Sequence, residues 1–324
     1  MSLDRRRFIQ ITGLLPCVSL QPACDTKSQP LSIGLHVWPG YEPMHLARSL
    51  GWINRTQVNF VETHSATESL ELLELGQIDG AGVTLDEVLR ARARGVELTV
   101  ILVCDISAGA DVFLVRPGIA DLAAVKGRRI GVEEGAVGAL MLHEVLKRAG
   151  LKRQDVAVVP VTIDQHVNAW AQRRVDAIVT YEPSAGQIAK LGGRRLFDSR
   201  SIPDLIVDVI AVRGAVLDSA HDDALRALVT ADLKALAYID TNPGDVAYRI
   251  AGRFKLPPDQ VLSVFRGLVL PDLDNNRRLL ATRNPALNAS VTAVSEAMLA
   301  AGLLQRQART DQLFRADYLP AATQ

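Results

Sequence analysis

The stretch HVWPGYEP, residues 36–43, sets Trp38, Tyr41 and Glu42 around a Pro-Gly pair, directly after the strand-like LSIGLHV of 31–37. Only 5% of the chain is aromatic, so two rings on one short loop form a local concentration. Indole and phenol faces hold planar or cationic groups, and a neighbouring carboxylate accepts hydrogen bonds from N–H donors. Pro39-Gly40 makes the turn tight enough to bring them together. The stretch TYEP at 180–183 repeats the theme with Tyr181 and Glu182. An aromatic and a carboxylate from each loop could sandwich one small solute.

Other candidate contacts are the hydroxyls of Ser65, Thr67 and Thr84 and the backbone of the EEGAVG loop, with Gly135 and Gly138. Asp86, Asp111 and Asp208 add negative charge. A site for a bare oxyanion should offer guanidinium groups as well as hydroxyls and helix N-termini. These loops contain no Arg or Lys, which favours an amine-bearing or heteroaromatic solute such as an aminopyrimidine. Several of these residues have competing structural roles. Trp38 would also serve as a core anchor, Glu42 as a favourable charge at a helix N-terminus, and Thr84 and Thr180 as caps. Asp79 and Asp176 fit turn-fixing better than ligand contact, and Trp170 fits the core.

Catalysis and metal chemistry find little support. No nucleophile with an adjacent base is visible, so no catalytic residue is expected, although Glu42 and Glu182 are the acid/base pair a lyase or synthase would need. The six histidines show no HxH or HExxH spacing, so neither a metal site nor a cofactor is expected. His64 and His166 lie on equivalent loops after strands and are further candidates for solute contact.

The elements that must carry these loops occur twice. SIGLHVWPGYEPMHLARSLGW (32–52) and RIGVEEGAVGALMLHEVLKRAGL (129–151) each give Ile-Gly in a short strand, a Gly-containing loop and a helical pattern ending at Gly51 or Gly150. Downstream, 58–89 and 156–185 each give strand, loop, amphipathic helix, and then IDGAGVT or VDAIVT followed by a loop. A period of about 97 residues is too long for a solenoid and implies two similar α/β lobes. Strands alternating with helices imply a mostly parallel sheet in each, with the loops after the strands at its ligand-binding edge. The chain should cross between lobes through SAGADVFLVRPG and again through LIVDVIAVRG, making a hinge. Lobe 1 is expected over 30–111 and 209–324, lobe 2 over 112–208. Helices are expected over 223–240, 245–254, 258–268 and 289–304, packed on lobe 1.

Composition bounds the class. At 324 residues, 48% hydrophobic and 22% charged, the chain has the profile of a globular protein of two domains. Lys plus Arg equals Asp plus Glu, 36 against 36, and no basic run with aromatics follows residue 30, which argues against nucleic-acid binding. The first 24 residues differ: LDRRRFIQ, an apolar stretch and QPAC have the pattern of an export signal, and Arg5-Arg6 followed by Phe8-Ile9 resembles the twin-arginine type. Cys24 is a candidate lipidation site, although Gln21 stands where a lipoprotein signal usually has Leu. The location expected is periplasmic or extracytoplasmic, with a possible lipid anchor through Cys24. Cys104, alone in an apolar run, is expected as a buried hydrophobe.

The order of these motifs resembles the periplasmic substrate-binding proteins of ABC importers, in the branch of nitrate, sulfonate and taurine binders and thiamine-pyrimidine-precursor (NMT1-like) binders. The resemblance covers about 30–215 and is strongest at 33–53 and 126–183. It implies a two-lobe, type II periplasmic-binding-protein-like α/β fold whose lobes close on a small solute. It also implies an ABC permease and ATPase as partners, a monomeric state and no enzymatic activity. The same lobes would equally serve a ligand sensor docking on a membrane receptor kinase. A thiamine-precursor enzyme of this fold would carry a cysteine-rich motif, which is absent from this sequence.

Overall fold

The computed structural model describes residues 29–283 and 285–321; the expected export signal and the lipidation candidate Cys24 fall outside the described residues. Two sheets account for the α/β architecture. The first carries β1 (Leu31–Leu35), β2 (Val58–Glu62), β3 (Gly80–Thr84), β4 (Leu98–Ser107), β10 (Val207–Arg213) and β11 (Leu268–Val269), in the order β11-β4-β10-β3-β1-β2. The second carries β5 (Val112–Val115), β6 (Arg129–Val132), β7 (Ala157–Pro160), β8 (Ala177–Thr180) and β9 (Arg194–Asp198), in the order β7-β6-β8-β5-β9.

The duplicated sequence is a duplicated topology. In each sheet three parallel strands, β2-β1-β3 or β7-β6-β8, are followed by one antiparallel strand, β10 or β5. That fourth strand is the one arriving from the other lobe, so each crossover is stitched into the sheet it enters. β10 begins at Val207, which places Asp208 in the first sheet and not at the end of lobe 2 as the sequence boundary had it.

Asp79 and Asp176 take the same structural role in each copy. Asp79 Oδ2 accepts from the N–H of Ser32, at 2.8 Å, and Asp176 Oδ2 from that of Arg129, at 3.0 Å. Each carboxylate thereby fixes the start of the neighbouring strand. The paired Ile-Gly signals have a steric cause, because a Cβ on Gly34 would lie 2.7 Å from Ile78 and one on Gly131 3.1 Å from Ile178.

Helices cover the sheets: α1 (Glu42–Ser49), α2 (Ala66–Glu74) and α3 (Leu85–Ala93) in lobe 1, and α4 (Gly138–Ala149), α5 (His166–Ala171) and α6 (Ser184–Lys190) in lobe 2. Gly51 and Gly150, just past α1 and α4, have φ of 75° and 68°, the left-handed conformation that favours Gly there. The C-terminal part supplies α7 (Asp222–Thr241), α8 (Pro243–Phe254), α9 (Pro258–Val261), α10 (Leu273–Leu279) and α11 (Asn288–Ala300). Pro243 ends one helix by starting the next, at a position where its missing N–H costs nothing. α7 and α8 pack on α1, and α11 packs on α3. The expected helix over 258–268 is only the short α9 and a 3-10 turn, Leu262–Phe265, before β11 pairs with the end of β4.

Candidate functional site

The loops after the strands meet between the lobes. The WPGY turn, with a 3-10 turn at Pro39–Tyr41, is packed over the carboxyl ends of the first sheet. Two aspartates underneath receive its polar atoms: Trp38 Nε1 donates to Asp105 Oδ2 at 2.8 Å, and Tyr41 Oη donates to Asp208 Oδ1 at 2.6 Å. Asp105 and Asp208 are direct partners across the β4–β10 pair, and Asp208 faces Thr84 across β10–β3. Gly40 is required by this arrangement, since a Cβ there would stand 1.6 Å from Asp105 Oδ2.

From lobe 2, Tyr181 meets Trp38 edge to face with ring centres 5.0 Å apart. Charged side chains cross the gap beside them. Glu87 Oε1 accepts from the N–H of Val137 at 3.0 Å, and Glu133 Oε1 accepts from the N–H and hydroxyl of Thr67 at 2.9 and 2.6 Å. Arg90 donates to the carbonyl of Glu134 at 3.3 Å. The lobes are therefore closed on each other, and one apolar cluster runs from Val88 and Leu89 through Val137 into Leu140 and Met141.

Between the lobes lies a cavity of about 20 Å³, room for roughly one water molecule in this closed form. Its wall includes His36, Trp38, Tyr41, Thr84, Glu87, Asp111, Glu133, Gly138, His166, Tyr181 and Asp208. Four of these are carboxylates, two are imidazoles and three are aromatic, and no Arg or Lys is among the described residues of the wall. Burial pushes Glu87 up to about 8, with Asp86 adding to the shift, and Asp105 likewise to about 8. Burial raises Asp111 to about 6 and lifts Asp208 well above the usual carboxylate range, with Asp105 adding to the latter. His36 and His166 are pulled down to about 4 by burial, so both rings are neutral at pH 7. His166 is held by Thr180 Oγ1 at 3.0 Å and the Val161 carbonyl at 3.1 Å.

Of the residues read from the sequence, Trp38, Tyr41, Thr84, Asp111, Gly138, Tyr181 and Asp208 line this cavity. Thr67 and Gly135 lie beside it, lining a neighbouring opening that shares Glu133. Four others are turned elsewhere and correct the expectation of a carboxylate from each loop. Glu42, buried at the start of α1, pairs with Arg253 at 3.0 Å. Glu182 accepts from the N–H of Gly186 at 3.1 Å, inside its own helix start. Ser65 caps α2 by accepting from Glu68, and Asp86 is taken up by Thr84 Oγ1 at 2.6 Å and Arg90 at 3.5 Å. His64 does not reach the cavity wall, whereas His166 does. Trp170 and Cys104 are buried, as their apolar surroundings require.

Sequence reading missed His36, Asp105, Glu87 and Glu133. Asp105 had a signal, as a lone acid inside the apolar run LTVILVCDIS. Glu87 sits at the third position of α3, where it accepts from the Thr84 N–H at 2.8 Å and so reads as a capping residue. Among the described residues no cluster of His, Cys, Asp or Glu is placed to hold a metal ion, and no helix is long and apolar enough to cross a membrane.

The family model described as NMT1/THI5 like matches residues 38–246, from the indole of the site into α8, which takes in all of the second sheet and β2, β3, β4 and β10 of the first. The chain belongs to the NMT1/THI5-like family. Among the relatives of this family member, a protein of Brucella abortus described as a binding protein is 22% identical over 65% of this chain and 66% of its own length. A protein of Escherichia coli named for binding aliphatic sulfonates is 26% identical over 58% of this chain and 60% of its own length. The matches thus leave about a third or more of each curated relative uncovered. The alkanesulfonate-binding protein of Xanthomonas axonopodis pv. citri, solved with MOPS bound, superposes with a TM-score of 0.73 at 20% identity, covering 89% of this chain and all of that one. That likeness establishes the two-lobe, periplasmic-binding-protein-like fold.

Proposed function

We propose that this NMT1/THI5-like protein is the extracytoplasmic solute-binding component of an ABC importer and that it captures a small nitrogen-bearing heteroaromatic solute by closure of its lobes. The observation that carries the reading is the composition of the cavity wall: Trp38, Tyr41 and Tyr181 with Glu87, Asp111, Glu133 and Asp208, and no Arg or Lys among its described residues. Rings of this kind stack on a planar solute, and buried carboxylates demand N–H donors in return. The relatives named for sulfonates argue for an anion, but the wall offers a desolvated sulfonate no guanidinium or ammonium partner to replace its hydration.

Export by the twin-arginine-like signal, a lipid anchor at Cys24 and a monomeric state belong to the same proposal. Delivery to a membrane permease follows from the named binding roles of the relatives and from two lobes able to open and close. Native mass spectrometry of the protein purified from its host identifies a co-purified solute, and calorimetry then compares it with taurine. A nitrogen-bearing ring is expected. Micromolar binding of taurine with none of an aminopyrimidine would reverse the choice of solute.

A further inference from the structure

The cavity wall concentrates negative charge, and three buried polar atoms around it have no protein partner: Asp111 Oδ2, Asp105 Oδ1 and His36 Nδ1. Asp111 and His36 line the cavity and are 2% and 5% exposed. Arg90 stands close by without lining the cavity: its guanidinium pairs with Asp86 and donates to the Glu134 carbonyl, its Nε has no protein partner, and its charge offsets only part of the burial shift on Glu87. Tyr41 and Trp38 each satisfy one oxygen of an aspartate but bring no charge.

Asp111 also occupies a mechanical position. It ends the first crossover, its N–H donating to Ser107 Oγ at 3.2 Å and its carbonyl accepting from the Ser199 N–H at 3.0 Å. Ser107 and Ser199, one near each crossover, share a hydroxyl hydrogen bond of 2.7 Å, and Ser199 Oγ also accepts from the Gly109 N–H at 2.6 Å. The unpartnered oxygen in the cavity therefore belongs to a residue that ties the two hinge segments together.

Resting on the solute-binding role above, we infer that the solute is held as a cation with its N–H donor on Asp111 Oδ2, and that its charge replaces protons which the solute-free cleft must bind in order to close. On binding, those protons pass from the carboxylic acids to solvent. The groups facing the cluster bear on the sign, and they include Glu133 in the wall and the Asp86–Arg90 pair on α3 beside it. Asp105 on β4, Asp208 on β10, Glu87 on α3 and Asp111 at the hinge are raised by burial, so the closed form holds more protons than an open, hydrated one, and closure weakens as pH rises through about 8. His36 after β1 and His166 on α5 are lowered to about 4, so they oppose closure below about pH 6.5. Tyr41 and Tyr181 are raised well above their usual range and stay neutral. The clean window is between about pH 6.5 and pH 8.5.

Small-angle X-ray scattering on the protein dialysed free of solute tests this. The radius of gyration should be smaller at about pH 6.5 than at about pH 8.5, and Asp105→Asn, which removes a carboxyl that titrates at about 8 and keeps the shape of the side chain, should reduce that difference. At about pH 8.5 benzamidinium or benzylammonium, both cationic there, should close the wild type with little proton release, and at about pH 6.5 the same probes should bind with release of protons, read by calorimetry in two buffers of different ionisation enthalpy. Asp111→Asn should weaken that binding at least about tenfold. Benzenesulfonate, of the same ring size, should leave the radius unchanged. A radius indifferent to pH, failure of both cationic probes, or closure by benzenesulfonate overturns the inference. Closure by benzenesulfonate would still leave an importer binding protein, whereas a radius that answers to no acid, probe or co-purified solute would remove that role as well.

Discussion

Asp105 and Asp208 stand directly opposite each other on adjacent antiparallel strands, and each is held by a different aromatic of one turn, Asp105 by Trp38 and Asp208 by Tyr41. Like charges opposed on neighbouring strands weaken a sheet. Burial raises both carboxyls, and the charge of Asp105 adds to the shift on Asp208, so near neutral pH the pair avoids that cost by holding protons, with Asp208 in the cavity wall and Asp105 behind Trp38. The crowding of Trp38 and Tyr41 on one short loop thus has two purposes: the rings form the cavity wall, and their N–H and O–H groups hold the acids behind them.

Trp38→Phe keeps a ring but removes the donor. Asp105 Oδ2 then loses its partner while Oδ1 already has none, and leaving such a buried group unsatisfied costs about 1–3 kcal/mol. Urea denaturation should show a larger loss at about pH 8.5, where Asp105 is ionised, than at about pH 6.5, where it is protonated. Equal losses at both would mean that only ring packing was disturbed.

Gly40→Ala should be destabilising for a different reason. The new Cβ would lie 1.6 Å from Asp105 Oδ2 and 2.7 Å from Trp38 Nε1, so the turn must shift or the pair must break. A loss of about 1–3 kcal/mol is expected. Adding Asp105→Ala removes the clash with the carboxylate, so the double variant should be more stable than the two single losses predict, by about 0.5–3 kcal/mol of coupling. Strict additivity in the denaturation cycle would show that the clash had been relieved elsewhere.

The duplicated lobes were legible because their signals are local: Ile-Gly strands, Gly-ended helices and the repeated aspartates at 79 and 176. The aromatic part of the site was legible for the same reason, through Trp38, Tyr41 and Tyr181. The acidic part was not. Glu42 and Glu182 are adjacent in sequence to those rings, but a helix begins at Glu42, and the change of backbone turns its side chain away towards α8. Asp105 and Asp208 come together only because β4 pairs with β10, a strand that returns from the other lobe. No periodicity within either strand encodes that pairing.

Stability should follow pH with a maximum on the acid side of neutrality. Asp105 and Glu87 are raised to about 8 in the folded protein, as is Asp232 by burial on α7, while unfolded carboxyls titrate near 4. The folded state therefore binds more protons between those values, and stability falls as pH rises through about 8. His36 and His166, lowered to about 4, contribute stability that is present above about pH 6.5 and lost as pH falls through 4. Urea midpoints measured from pH 4 to 9 should be highest at the acidic end, near pH 4 to 5, and fall most steeply between about 6.5 and 8, where the histidines no longer offset the acids. A plateau extending to pH 9 would mean that the cleft acids are hydrated in solution.

Arg253 on α8 is the residue on which the placement of the WPGY turn depends most from outside the cleft. Its guanidinium donates to Glu42 at 3.0 Å, to Glu62 at 2.9 Å and lies 2.9 Å from His45 Nε2. Glu42 is the first residue of α1 and follows Tyr41 directly, so the pair anchors the helix start that fixes the Tyr41–Asp208 contact. Burial raises the Glu42 carboxyl to about 7, with Arg253 pulling the other way. Arg253→Met would leave an unpaired buried charge and should cost about 3–5 kcal/mol at pH 8, with a smaller loss at pH 6, where Glu42 can be protonated. Adding Glu42→Gln should recover much of that stability, because no buried charge then remains. Solute affinity should fall in the single variant and return in part with the double. If the double variant is no better than the single in either assay, the ion pair is not what holds the turn.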